Sequence, residues 1–221
     1  TKKVGKIIMA KNYINKEKIT KILKITEIEY DESNETYDYS YPYLIKGMEE
    51  LRLNAKSKEE WVIIGSSMVY SWMPRILNFT KSNNYKKCIK NAIGELKKIE
   101  EQYKIYIDGG SFKDMDIKKE NLDSLVHVIN NSVVGVSKFL HFSFPKAFPI
   151  WDSRVERAFS GVANNYQRTN NLDNYIAYLY LLHDVKNEEF SLIKENKEIF
   201  EKYDDKIRKI EYALFIIGGK K

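Results

Sequence analysis

The stretch VVGVSKFLHFSFPKAFPIWDSRVERAF, residues 133–159, decides how this chain is read. It opens as an almost wholly apolar helical pattern. It then passes a loop bracketed by Pro145 and Pro149 and sets one carboxylate, Asp152, directly before a second helical pattern. Proline cannot continue a regular helix and pushes the residue before it into extended backbone. An aspartate at such a point is a good N-cap, since its oxygen accepts N–H groups that the first turn leaves open. Held among Phe148, Ile150 and Trp151, the same side chain is also a candidate buried catalytic acid. The residues alone leave both readings open, and one carboxylate can serve both.

Upstream, the pattern KKENLDSLVHVI over 118–129 reads as a helix that meets Asn130, Asn131 and Ser132 in a tight turn. Asparagine is the non-glycine residue that most readily takes positive φ. The N–H groups at the start of the following helix are unpaired in such a turn and suit phosphate.

Further out, the chain reads as helices. KEEWVIIGSSMVYSW, opened by the capping pair Ser57 and Glu60, is apolar on most sides and is expected at the centre. It is expected to stop at Pro74. Ile89, Ile93, Leu96, Ile99 and Tyr103 recur at three- and four-residue steps and predict a long amphipathic helix ended by Gly109 and Gly110. Residues 18–30 fit a short helix or an edge strand. The acidic, tyrosine-rich run 31–43 reads as a loop, with Pro42 in the first turn of the next helix. The tail holds three helical patterns, the last with Ile207, Ile210, Leu214 and Ile217 as a core stripe. The sum is an all-α chain of about nine helices. It is read as one unit over 1–221, with 1–43 as an N-terminal extension and 118–160 as the hairpin and aspartate core.

With 43% hydrophobic and 13% aromatic residues, the composition excludes a disordered chain. A net charge of +6 permits a polyanionic partner without establishing one. The single cysteine, Cys88, excludes an internal disulfide and a cysteine metal cluster. His127, His141 and His183 lack metal-ligand spacing, so neither a metal nor a cofactor is expected. No apolar run approaches the ~20 residues of a membrane span. The basic start carries no signal-peptide pattern, and a cytoplasmic location is expected.

Residues 133–159 resemble the core of the helix-hairpin-helix DNA glycosylase superfamily. They are particularly similar to divergent bacterial proteins with an 8-oxoguanine-glycosylase-like fold. Ser137, Lys138, Leu140, His141 and Phe142 carry the resemblance in the helix, and Pro145, Phe148, Pro149 and Ile150 in the loop. Asp152, Ser153, Arg154 and Val155 complete it, and RKIEYALF near the end is similar to the closing helix of those proteins. The resemblance implies helices in two lobes around a base-binding cleft, with Asp152 as the catalytic residue. A carboxylate suits that chemistry, because breaking an N-glycosidic bond develops positive, oxocarbenium-like charge on the sugar.

The expected substrate is DNA carrying a damaged or modified base, flipped and released by a monomer in base-excision repair or anti-phage defence. Two departures stand out. Asn130, Asn131 and Ser132 replace a glycine-rich hairpin. The lysine nucleophile of bifunctional members falls at Ser132, and Lys138 reads as lying too deep, so a monofunctional enzyme without lyase chemistry is expected. Tyr70, Trp72, Met73, His141 and Trp151 are candidates for the base pocket. Asn130, Asn131, Ser132, Lys138, Lys146, Arg154 and Arg157, with Arg75, are candidates for DNA contact. The plainer readings are core packing for the aromatics, a hydrogen-bonded core residue for His141 and solvated surface for the charges. The alternative functions are a DNA-binding helical module without catalysis and a helical protein-interaction domain.

Overall fold

The structure, a computed structural model, describes residues 13–28, 30, 35–73, 75–77, 85–162 and 165–219. Among the described residues the chain forms twelve α-helices, one short 3-10 turn and no strand. The first four helices are α1 (Lys16–Ile22), α2 (Glu35–Asn54), α3 (Lys58–Ser71) and α4 (Tyr85–Ile107), and the 3-10 turn Phe112–Met115 follows. Then come α5 (Lys119–Val128), α6 (Val133–Ser143), α7 (Ser153–Ser160) and α8 (Tyr166–Thr169). The last four are α9 (Leu172–Val185), α10 (Ser191–Glu195), α11 (Lys197–Phe200) and α12 (Lys206–Gly219).

The centre is α6, not α3 as the sequence pattern suggested. Every residue of α6 except Val134 is buried, and α2, α3, α5 and α9 pack around it. Helix α3 buries one face through Trp61, Val62, Val69 and Tyr70 and leaves Ile64 41% exposed. The two helices meet through rings. Trp61 lies 5.6 Å from Phe139 and 5.9 Å from Phe144, centroid to centroid. Each fully buried ring of this kind stabilises by about 2 kcal/mol through area alone, with a further fraction from ring geometry.

The helix count corrects the expectation of about nine. The tail pattern expected as one helix breaks at Asn196, whose side-chain amide donates to the carbonyls of Thr26 and Leu192. The four-residue α8 lies in a polar run with no apolar period to announce it. Residues 16–22 resolve to helix, capped by Asn15 Oδ1. The loop expected over 31–43 is also corrected, because α2 begins at Glu35 and carries Pro42 inside it. Asp38 is held there by tertiary partners, accepting from the hydroxyls of Tyr30, Tyr203 and Tyr212 and from Lys202 Nζ at 2.6 Å. Residues 31–34 and Pro74 lie outside the described residues. No helix among the described residues is long and apolar enough to cross a membrane.

The expected hairpin is present. Asn130 and Asn131 take φ of 59° and 50°, and Ser132 caps α6 by accepting from Gly135 N–H at 3.0 Å. Helix α12 closes the molecule against α7 and shares the wall of a cleft with it.

Candidate active site

Asp152 sits where the apolar loop meets α7, and neighbouring elements fix the backbone that leads to it. Ser137 Oγ of α6 accepts the Trp151 N–H at 3.1 Å and lies 2.9 Å from the Trp151 carbonyl oxygen. Glu211 Oε2 of α12 accepts the Ile150 N–H at 3.1 Å. Trp151 is fully buried and donates its indole N–H to the Thr169 carbonyl at 2.8 Å. The next residue starts α7. Asp152 Oδ1 accepts the N–H groups of Arg154 at 2.9 Å and Val155 at 3.0 Å. Oδ2 takes no hydrogen bond from any described residue. The N-cap reading is therefore correct, and it leaves half of the carboxylate available, at the positive end of the α7 dipole.

That carboxyl lines a cleft of about 390 Å³. Trp72 and Met73 after α3, Tyr166 of α8, and Tyr212 and Phe215 of α12 give it flat apolar surface. Positive charge comes from Arg75, Lys138, Arg154 and Arg208, and negative charge from Asp152 and Glu211. Arg75 is exposed, with its guanidinium 5.7 Å from the centre of the Tyr166 ring. Arg154 lies 4.4 Å from the centre of the Phe215 ring.

Lys138 is only 9% exposed, and its ammonium lies 4.8 Å from the centre of the Trp72 ring. No described residue accepts a hydrogen bond from it. Burial pulls its pKa down, and the charges of Asp152 and Glu211 oppose that pull. The Trp72 ring face adds a cation–π attraction. Further back, Arg208 and Glu211 form a buried ion pair. The Arg208 guanidinium is 4.2 Å from the centre of the Tyr41 ring. Burial raises the pKa of Glu211, against Arg208 and the Ile150 N–H, which both favour its anion.

His141 stands behind this pair and away from the cleft lining. Its Nδ1–H donates to the Phe148 carbonyl at 2.6 Å, so Nε2 accepts from the Tyr41 hydroxyl at 2.7 Å. Burial, with the charge of Arg208, lowers its pKa to about 3, and the ring is neutral. This corrects its place in the base pocket; it is a satisfied core histidine. Trp151 is corrected likewise. Successive side chains of an extended segment point opposite ways, and here Ile150 and Asp152 take the cleft side. Tyr70 is also behind the lining, buried with its hydroxyl facing the side chains of Asn130 and Ser132.

Of the other candidates, Trp72, Met73, Ser132, Lys138, Arg154 and Arg75 do line the cleft together with Asp152. Lys138 is not too deep in its helix to reach it, as the sequence spacing had suggested. Lys146 is exposed and Arg157 half-buried, and neither lines it. The hairpin amides read as phosphate donors are largely engaged. Ser132 N–H goes to the Ile129 carbonyl, Gly135 N–H to Ser132 Oγ, and Val133 N–H to Asn170 Oδ1 at 2.8 Å. Asn170 also donates to the Asn131 carbonyl at 3.0 Å and closes the turn like a staple.

No family model, no curated protein and no solved structure matches this chain.

Sequence reasoning missed the contribution of α8 and α12: Tyr166, Asn170, Arg208, Glu211, Tyr212 and Phe215. A signal was present for one pair. Arg208 and Glu211 interrupt the core stripe Ile207, Ile210, Leu214 at i, i+3, and charges so placed are buried with each other or with a ligand. Chemically, the cleft offers a carboxylate with one unclaimed oxygen, a nearly buried ammonium and ring faces that suit a flat molecule.

Proposed function

We propose that this protein is a DNA N-glycosylase that takes a flipped, damaged or modified base into the cleft and hydrolyses its N-glycosidic bond without lyase chemistry. The observation that carries the reading is the placement of Asp152. One oxygen is fixed by two α7 amides, and the other is left to a cleft that combines ring faces with positive charge. A base stacks on Trp72, Tyr166 or Phe215, since every base presents a π-face. Arg75 and Arg154 suit the phosphates that flank the extruded nucleotide. Asp152 stabilises the positive charge that grows on the sugar and takes the proton of the attacking water. Flipping costs a few kcal/mol and is easiest at damaged or mispaired bases, which supplies part of the selectivity. Base-excision repair and anti-phage defence both need this reaction, and the chain is read as a cytoplasmic monomer.

The test is a panel of duplexes carrying oxidised, alkylated, deaminated or glucosylated bases, scored for alkali-labile sites with wild type and Asp152→Asn.

A second reading rests on the hairpin. With Ser132, Val133 and Gly135 amides engaged inside the protein, the scaffold has little backbone left there to grip phosphate. A DNA-binding module without chemistry then binds duplex in a salt-dependent way and forms no abasic site on any substrate in the panel.

A further inference from the structure

We propose that Lys138 is a second catalytic residue, the cation that receives the departing base while Asp152 faces the sugar. This rests on the glycosylase reading. Breaking a glycosidic bond separates charge: the sugar carbon becomes positive and the base nitrogen takes the electron pair. A site that answers only the sugar does half of the electrostatic work. The cleft holds a candidate for the other half.

Lys138 projects from the buried helix α6 and lines the cleft together with Asp152. It is nine-tenths buried, and no described residue accepts its N–H donors. Its ammonium opens on the cleft, so a base that displaces the cleft water must supply the acceptors it removes. The other buried cation of the cleft, Arg208, is committed to Glu211, and the exposed Arg75 sits against the Tyr166 ring. Lys138 meets the Trp72 ring face, which attracts a cation but leaves its N–H donors unused, and the carboxylates of Asp152 and Glu211 act on it through their charge without accepting from it. Those donors suit a base acceptor, a carbonyl oxygen or ring nitrogen, that gains negative charge as the bond breaks. Burial also makes the group a stronger acid, which favours transfer to the base.

The step balances. The C1′–N bond breaks and its electron pair goes to the base. Lys138 gives a hydrogen bond, and then a proton, to the base and recovers a proton from solvent. Water adds to C1′ and releases its proton to Asp152. The products are an abasic site and a neutral free base.

A leaving-group role has a signature that a packing role lacks. Ring fluorination makes a base a better leaving group and reduces its need for the ammonium. The experiment measures single-turnover base release from two duplexes that differ only in fluorination of the released base, with wild type, Lys138→Met and Lys138→Arg. The expected result is a loss of about 10²-fold or more for Lys138→Met on the plain base. The loss shrinks at least several-fold on the fluorinated one, with partial recovery in Lys138→Arg. An equal loss on both bases, or no loss, overturns the proposal and leaves the glycosylase reading standing. Borohydride trapping of a covalent Lys138–abasic adduct also overturns it, because the amine then acts as a nucleophile. No release from any duplex by wild type overturns the reading and this proposal together.

Discussion

Gly218 has no Cβ, and one built there would lie 1.8 Å from the carbonyl oxygen of Arg154. This contact joins α12 to the first turn of α7, the turn that Asp152 caps. The closeness of the two helices brings Glu211 within reach of Ile150 and sets Arg208, Tyr212 and Phe215 into the cleft. Gly218→Ala forces backbone against backbone, and no rotamer relieves it. We expect a loss of about 3 kcal/mol or more, at the upper end of overpacking costs. The control is Gly94→Ala on α4, where nothing lies within 4 Å of the added carbon. That variant is expected to gain up to about 1 kcal/mol from helix propensity. Urea midpoints read both; equal midpoints for the two variants contradict the contact.

Asn170 tests the hairpin. Its amide accepts from Val133 N–H and donates to the Asn131 carbonyl. Val133 is buried, so removing the acceptor leaves an orphaned donor. Asn170→Ala is expected to cost about 1–3 kcal/mol. Asn170→Asp keeps the acceptor and adds negative charge at the α6 N-terminus, so it recovers most of that stability. Identical losses in the two variants argue against the staple.

Two histidines predict acid sensitivity. His141 is pulled down to about 3, by burial and then by Arg208. His183, stacked 3.5 Å from Phe112 and donating to the Ala147 carbonyl, is pulled down to about 4, chiefly by burial. Both folded values lie below the unfolded value of about 6.5. Between them the unfolded chain binds more protons, so the histidine contribution is full above about pH 6.5 and falls as pH drops toward 4. The slope reaches about 1.4 kcal/mol per pH unit for each ring. Asp38 and Glu100, whose partners outweigh burial and hold them low, add to the loss only below about pH 4. Glu211, raised to about 7 by burial, works the opposite way between about pH 7 and 4.5 and offsets about one ring. Urea midpoints should therefore change little from pH 7.5 to 6 and decline from pH 6 to 5 by about one ring's slope, and His183→Gln should remove most of that decline. A flat wild-type profile between pH 6 and 5 contradicts two neutral, largely desolvated rings.

The helical class was legible because Val133–Ser143 is apolar on every side and α4 on one. Such patterns report burial directly. The cap at Asp152 was legible from Pro149 and the polar helix that follows. What escaped depends on distant partners. The run from Glu35 is acidic and contains a proline, yet it is helical because Tyr30, Tyr203, Tyr212 and Lys202 converge on Asp38. Trp151 was misplaced because adjacency to Asp152 in sequence puts a side chain on the opposite side. The α12 half of the cleft lies more than fifty residues from Asp152, and only packing brings it there.

The most direct measurement is single-turnover base release from the lesion panel by wild type and Asp152→Asn at matched stability. Asparagine caps a helix about as well as aspartate, so the variant should keep the unfolding midpoint. The account predicts alkali-labile sites with wild type on at least one modified base and a drop of about 10²-fold or more in the variant. Release at the wild-type rate by a folded Asp152→Asn protein would contradict it.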